Sequence, residues 1–396
     1  MQENFSLPDD LRNDTFISFL DMSRWMAAAI VFLSHLRNPL FLSYGDVAAD
    51  DRNLLVQGWY FVTGWFPEGV IVFFVLSGLL VGGSGVVKLQ SKIFSLKNYS
   101  IDRVSRLYVA LIPALILGIV MDKVGIIYFS ETGFWDHSHP MINQKIDSEP
   151  FQEKISFNIL ISNILMLQHY FSPTLGSNDP LWTISSEFWF YFMFGVFTLF
   201  ANKKNIIKGI ALVICVLAFY FLGIKFLILF GYWIIGVLAG IYNKRIFLSP
   251  LVSAAIFFLI LIISRAYLGG TTPSSSLIIL KNYFVAAAFA VLILSIRRRD
   301  ILFFKRTKSF NKFFADFSYS LYLIHFPSML FFLALLSYFG VFSGIQSGYR
   351  PTSLEGIGIY FLVIILVYFS AYIFSIFTEK KTHIVKSNLK KTLEKF

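Results

Sequence analysis

Among the ionisable side chains that stand inside otherwise apolar stretches of this chain are Asp21, Arg24, His35, Glu68, Glu187 and His325. A charged group at the centre of a membrane helix costs about 2.5–3.5 kcal/mol to insert, so each needs a reason to be there. Three of them share the stretch LDMSRWMAAAIVFLSHL. At 100° per residue, the steps from Arg24 to His35 return to within about 20° of one direction, and Asp21 lies one turn before Arg24, within pairing reach. A face carrying a carboxylate, a guanidinium and an imidazole can do polar chemistry. The imidazole suits a general base near neutral pH, and the guanidinium suits charge developing on a carbonyl oxygen. The alternative is a buried Asp21–Arg24 pair with His35 at the interface; three ionisable groups on one stripe favour the site.

Glu187 follows Ser185 and Ser186 in WTISSEFWFYF, a run opened by Trp182. It is expected roughly 9 Å into its span, on the same side as His35, where orienting an imidazole would satisfy it. Helix–helix hydrogen bonding through the serines is the competing use. Arg103 and Arg106 in IDRVSRLYV share a helix face and suit bidentate phosphate binding, although alone they read as ordinary anchors at the membrane surface. His325 lies in FSYSLYLIHFP, where helical spacing gathers Ser318, Tyr322 and His325 on one side, either as a contact strip between helices or as part of a substrate site. Glu68, between Pro67 and Gly69, marks a local helix break. His137 and His139 in WDHSHP lack a third ligand, so no metal site is expected.

The elements that must position these groups follow from composition. Hydrophobic residues make up 56% of the 396 and charged residues only 14%, against about 25% in a soluble domain. Mean hydropathy is +0.68. Both soluble globular and disordered chains are excluded. The 34 basic residues outnumber 23 acidic ones, but they fall in short clusters between apolar runs, which is the pattern of cytoplasmic loops and not of a nucleic-acid surface. One cysteine, Cys215, leaves no intrachain disulfide. Apolar runs near 16–36, 59–81, 105–127, 155–171, 181–200, 206–223, 226–243, 251–268, 278–296, 316–339 and 357–377 predict an all-α polytopic membrane protein.

The basic clusters alternate consistently only if one segment does not span, and 155–171, broken by Asn158, Ser162, Asn163 and Gln168, is the shortest. The expectation is therefore about ten transmembrane helices plus one partial or re-entrant segment, with both termini cytoplasmic. Residues 1–15 form a cytoplasmic N-terminal segment without signal-peptide features, 16–377 the transmembrane domain, and 378–396 a basic tail lying near anionic lipid heads. The outer loops are 37–58, 128–154, 172–180, 269–276 and 340–356.

P-loop, dinucleotide and nucleophile-elbow motifs are absent. Five segments in order, however, resemble the membrane-bound acyltransferase family 3: Arg24 and His35 separated by ten residues; GVIVFFVLSGLLVGG; Arg103, Arg106 and Tyr108; LWTISSEFWFY with Trp182, Glu187 and Tyr191; and FSYSLYLIH. Departures at Met22–Ser23, Ile71 and Val109 leave the Arg24/His35 pair intact. The resemblance implies a bacterial inner-membrane enzyme that moves an acyl group, usually acetyl, from cytoplasmic acetyl-CoA to a hydroxyl of an extracytoplasmic glycan, such as lipopolysaccharide O-antigen or a lipid-linked sugar. It implies no permanently bound cofactor. His35, Glu187, Arg24 and Asp21 would then form the catalytic group. Arg103, Arg106 and Tyr108 would hold the acyl-CoA, and His325, Tyr322 and Trp182 the acceptor. With no appended domain in the sequence, the chain would act alone or with a separate partner.

Two other classes compete. A transporter or flippase of a lipid-linked sugar or polysaccharide would explain many spans with polar interiors, but predicts two related halves with broken helices, which the sequence lacks. A glycan polymerase predicts an arginine-rich outer loop, and 128–154 contains no arginine.

Overall fold

In a hydrocarbon solvent every backbone amide must be satisfied within the protein, which leaves helices as the natural solution for such apolar runs. The computed structural model describes residues 10–11, 13–143, 149–201, 204–268, 275–341 and 347–393. Most of the N-terminal segment 1–15, the end of the basic tail and parts of the loops 128–154, 269–276 and 340–356 lie outside the described residues. Among the described residues the only β pairing is two isolated bridges, Phe41 with Tyr349 and Gln168 with Ser172.

The principal helices are α1 (Asp14–Leu40), α2 (Leu54–Val62), α3 (Phe66–Ser77), α4 (Ser84–Gln90), α5 (Leu96–Tyr128), α6 (Phe157–Ile164), α7 (Trp182–Thr198), α8 (Asn205–Ile241), α9 (Pro250–Leu268), α10 (Ser275–Ile296), α11 (Ser318–Tyr338), α12 (Leu354–Phe377) and α13 (Thr382–Leu393). Eight helices among the described residues are long and apolar enough to cross a membrane, and Pro250–Arg265 is a shorter apolar one. One of the eight, α8, is broken at Gly223, whose φ of 71° is open to glycine and strained for other residues. Each arm rises roughly 27 Å, close to the hydrocarbon thickness, so α8 serves as the two adjacent segments read from the sequence. With those arms counted separately and α9 added, the described residues hold ten apolar helical segments at the positions expected. The segment 155–171 supplies only α6, which rises about 12 Å and cannot span. The expected break near Glu68 falls at 63–65, and Pro67 is the second residue of α3, in the first turn, where its missing N–H costs nothing.

Packing divides the chain into two units. The first comprises Met1–Ala27, Pro67–Arg103 and Ser186–Ala315. Here a π-helical stretch, Gly78–Gly83, joins α3 to α4 and meets the second arm of α8. A Cβ on Gly78 would overlap the Trp233 carbonyl, and one on Gly236 would overlap the Val75 carbonyl, so the two backbones touch only because both residues are glycine. Beside this crossing Phe226, Phe230 and Trp233 stack in series. Glu68 is buried and paired with Lys281 at 2.8 Å, with the Ser264 hydroxyl donating to the same oxygen. Arg297 binds Asp10 at 2.6 Å and donates to the Ala239 and Tyr242 carbonyls, closing the C-terminal end of α8.

The second unit comprises Ala28–Phe66, Val104–Ser185 and Asp316–Phe396. Its centre is α11, which lies against α12 and is buried along most of its length. Glu379 accepts from the backbone N–H and the hydroxyl of Ser320, placing a carboxylate at the N-terminus of α11. The loop before α7 is fixed on two sides. Ser177 donates its N–H and hydroxyl to buried Asp122 of α5, and Asn178 donates to the Leu323 carbonyl of α11 at 2.8 Å.

The glycine crossing gives a test of the first unit. Gly236→Val should lower stability by about 1–3 kcal/mol or more, read as a lower thermal unfolding midpoint of the purified chain in detergent. An unchanged midpoint would mean that α8 and the π-helical stretch do not meet through these glycines.

Candidate active site

Within the second unit, α1 carries His35 five residues before its end, and α11 carries His325 near its middle. His325 is fully buried, whereas His35 is only partly covered. Their rings meet with His35 Nδ1 3.0 Å from His325 Nε2. The ring centroids are 5.3 Å apart and the planes differ by 8°, so the imidazoles face one another edge to edge in nearly one plane, along the in-plane lone pair. The other nitrogen of His325, Nδ1, lies 2.8 Å from the Tyr322 main-chain carbonyl.

These contacts fix the protons. A carbonyl oxygen can only accept, so His325 Nδ1 carries hydrogen. In a neutral imidazole the opposite nitrogen then bears the lone pair, and His325 Nε2 is an acceptor. His35 must therefore donate from Nδ1. Its Nε2 is left with the lone pair, and this is the nitrogen of the partly covered ring. The arrangement orients a base as a carboxylate orients histidine in a hydrolytic triad, but without a charge in the membrane.

The second ring is held firmly. The Tyr322 hydroxyl is hydrogen-bonded to Thr183 Oγ1 at 2.9 Å, and Asn178 grips the carbonyl of Leu323. Phe32 presents an edge to His325, and Phe66 and Phe326 flank His35 at centroid distances of 5.4 Å. Trp182 lies with its ring 5.0 Å from that of His169.

In the first unit Glu187 ends a chain of donors. Trp233 Nε1 donates to Ser77 Oγ at 3.2 Å; Ser77 Oγ lies 3.1 Å from the Tyr191 hydroxyl; and Tyr191 donates to Glu187. Since the Tyr191 hydrogen goes to the carboxylate, Ser77 is the donor to Tyr191. Arg103 lies over the Tyr191 ring at 5.7 Å and the Tyr99 ring at 6.0 Å, and Tyr99 donates its hydroxyl to the Tyr191 carbonyl. The Nε of Arg103 is buried with no hydrogen-bond partner among the described residues. Arg24 and Asp21 pair at 3.7 Å across one turn of α1.

Among the sequence-selected groups, His35, His325 and Tyr322 thus come together in one unit, and Glu187, Tyr191 and Arg103 in the other. Arg106 is exposed, and the Tyr108 hydroxyl is spent on the Ile164 carbonyl at 2.8 Å. Sequence reasoning did not find the joining of the two histidines, nor the parts played by Ser77, Trp233, Tyr99, Asn178 and Thr183. These are single polar residues in apolar runs or turns with no spacing signal. Among the described residues no group of three or more His, Cys, Asp or Glu is arranged to hold a metal ion.

A family model described as an acyltransferase domain matches residues 17–376. No curated protein and no solved structure matches the chain.

The proton arrangement can be read directly. Nitrogen-15 NMR of histidine-labelled protein should show neutral His35 with hydrogen on Nδ1 and a bare Nε2, and His325→Ala should remove that preference. A His35 signal from the opposite tautomer would contradict the assignment.

Proposed function

The chain belongs to the acyltransferase family whose domain spans its residues 17–376, and from that membership we propose that it transfers an acyl group, with acetyl the expected case, from acyl-CoA to a hydroxyl of a glycan outside the membrane. The observation that carries the mechanism is the orientation of His35 by His325. His35 Nε2 takes the proton from the acceptor hydroxyl as its oxygen attacks the thioester carbonyl. The C–S bond breaks, the ester forms, and the CoA thiolate leaves to be protonated by the imidazolium or by water. His325 is a positioning residue in this scheme, since it is buried and reaches the reaction through His35. Arg24, tethered to Asp21, is assigned to the charge that develops on the thioester oxygen.

The donor needs cations for its phosphates. Arg103 has a buried Nε with no hydrogen-bond partner among the described residues and lies over two tyrosine rings, and Arg106 follows one turn later with an exposed side chain. Both suit an anion with several acceptor oxygens. Tyr108 would stiffen this part of α5 through its bond to Ile164. Glu187, expected from sequence to orient the imidazole, has Tyr191 as its partner. We assign it to hold Tyr191, and through that ring Arg103, in place. Tyr322 and Trp182 would lie with the acceptor. The setting is an inner bacterial membrane with both termini cytoplasmic, because the basic clusters then all face inward. The acceptor would be a surface polysaccharide such as lipopolysaccharide O-antigen, or its lipid-linked precursor.

In membranes supplied with labelled acetyl-CoA, His35→Ala should lower glycan acetylation by about 10²–10⁴-fold. His325→Ala should lower kcat less, and His325→Gln, which keeps an acceptor for His35 Nδ1–H, should restore part of the loss. Equal loss in both His325 variants would reduce that residue to packing. Arg103→Ala should raise the KM for acetyl-CoA more than it lowers kcat; an unchanged KM would remove Arg103 from the donor site.

A further inference from the structure

The turn that follows α5 is more elaborate than a connection requires. Gly133 adopts φ of 69°, and a side chain there would run into Ser138 and the His139 amide. Its carbonyl accepts the His139 N–H at 2.9 Å, while Asp136 accepts both the N–H and the hydroxyl of Ser138, at 3.0 and 2.8 Å. Together with Ser347 this turn borders a cavity of about 520 Å3, within the range of small-molecule sites. Its polar lining comes from Glu131, Thr132, Ser138, His139 and Ser347, and no lysine or arginine lines it among the described residues.

The polarity of this lining is directional. The Ser138 hydrogen is spent on Asp136 and the Thr132 hydrogen on the Phe129 carbonyl, at 2.7 Å, so both hydroxyls offer lone pairs. Glu131 adds carboxylate oxygens. A wall rich in acceptors, with no lysine or arginine among its described residues, disfavours phosphates and carboxylates and suits a ligand that presents several O–H donors. A neutral sugar does this.

Two connections lead from residues next to the cavity lining to the histidine pair, both within the second unit. The His137 ring stands edge-on to Phe151 at 4.4 Å, Phe151 meets Phe326 at 6.0 Å, and Phe326 flanks His35 at 5.4 Å. Tyr349, two residues after Ser347, donates its N–H to the Leu40 carbonyl and accepts from the Leu42 N–H, which ties this segment to the end of α1 that carries His35. Along α5, Tyr128 stands about 33 Å from Arg106, a full bilayer core away from the arginine end.

We propose that this cavity binds the acceptor: it takes a neutral monosaccharide unit of the glycan and presents it on the side away from the arginines. The proposal rests on the acyl-transfer reading, and two measurements separate them. Saturation-transfer NMR on the full chain in nanodiscs, with glucose, galactose and N-acetylglucosamine as probes, should give signals that Glu131→Gln weakens and Ser138→Trp, which fills the cavity, abolishes. Glucose 6-phosphate should give none. In membranes with labelled acetyl-CoA, Ser138→Trp should lower glycan acetylation at least tenfold while slow acetyl-CoA hydrolysis continues, which also shows that the variant is folded. If no sugar binds, or binding and acetylation persist in both variants, the cavity is not the acceptor site even though His35→Ala abolishes transfer. If instead His35→Ala leaves acetylation intact, the acyl-transfer reading itself fails.

Discussion

A main-chain carbonyl has no proton to give, and the candidate site depends on that fact. Because the Tyr322 carbonyl faces His325 Nδ1, the tautomer of His325 is set, and through it the tautomer of His35. Everything that steadies α11 therefore steadies the lone pair on His35 Nε2. Glu379 holds the start of the helix, Thr183 holds the Tyr322 ring, and Asn178 holds the next carbonyl along. A carboxylate in place of His325 would do the same orienting work but would bring a charge with a large desolvation cost. Two neutral rings avoid that cost.

Several other buried polar groups are matched within the protein. Asp122 accepts three hydrogen bonds from Trp135 and Ser177, and Glu68 has Lys281 and Ser264. Glu187 receives a chain of three donors, one from each of Trp233, Ser77 and Tyr191. Not every buried atom is met: Glu68 Oε2, Gln168 Oε1 and Arg103 Nε are among those with no hydrogen-bond partner among the described residues. An anionic ligand would match the Arg103 guanidinium, and the donor is proposed to bind there on that ground.

Much of the fold was legible because membrane helices announce themselves by length and hydropathy. The division of α8 at Gly223 and the failure of 155–171 to span both followed from breaks in the apolar runs. The Asp21–Arg24 pair followed from helical spacing alone. The joining of His35 to His325 did not, because it depends on how far one helix is displaced along another. Counted from its own first residue, His325 lies about 10 Å into α11 and His35 about 30 Å into α1. The preceding short helix Lys308–Ala315 explains the offset, since Asn311 already lies beside Trp25 and Ser18 of α1. Glu187 stood out in the sequence as a carboxylate in an apolar run, and its bond to Tyr191, one turn later on the same helix, carries no spacing signal beyond that of any such pair.

The proposed transfer turns on one atom, His35 Nε2, as the base. Replacing His35 by histidine methylated on one ring nitrogen or the other distinguishes the two nitrogens while keeping the ring. Methylation of Nε2 should abolish acetyl transfer in membranes supplied with acetyl-CoA. Methylation of Nδ1, which breaks the bond to His325 but spares the base, should leave a measurable fraction of the rate. Full activity with Nε2 methylated would contradict the account.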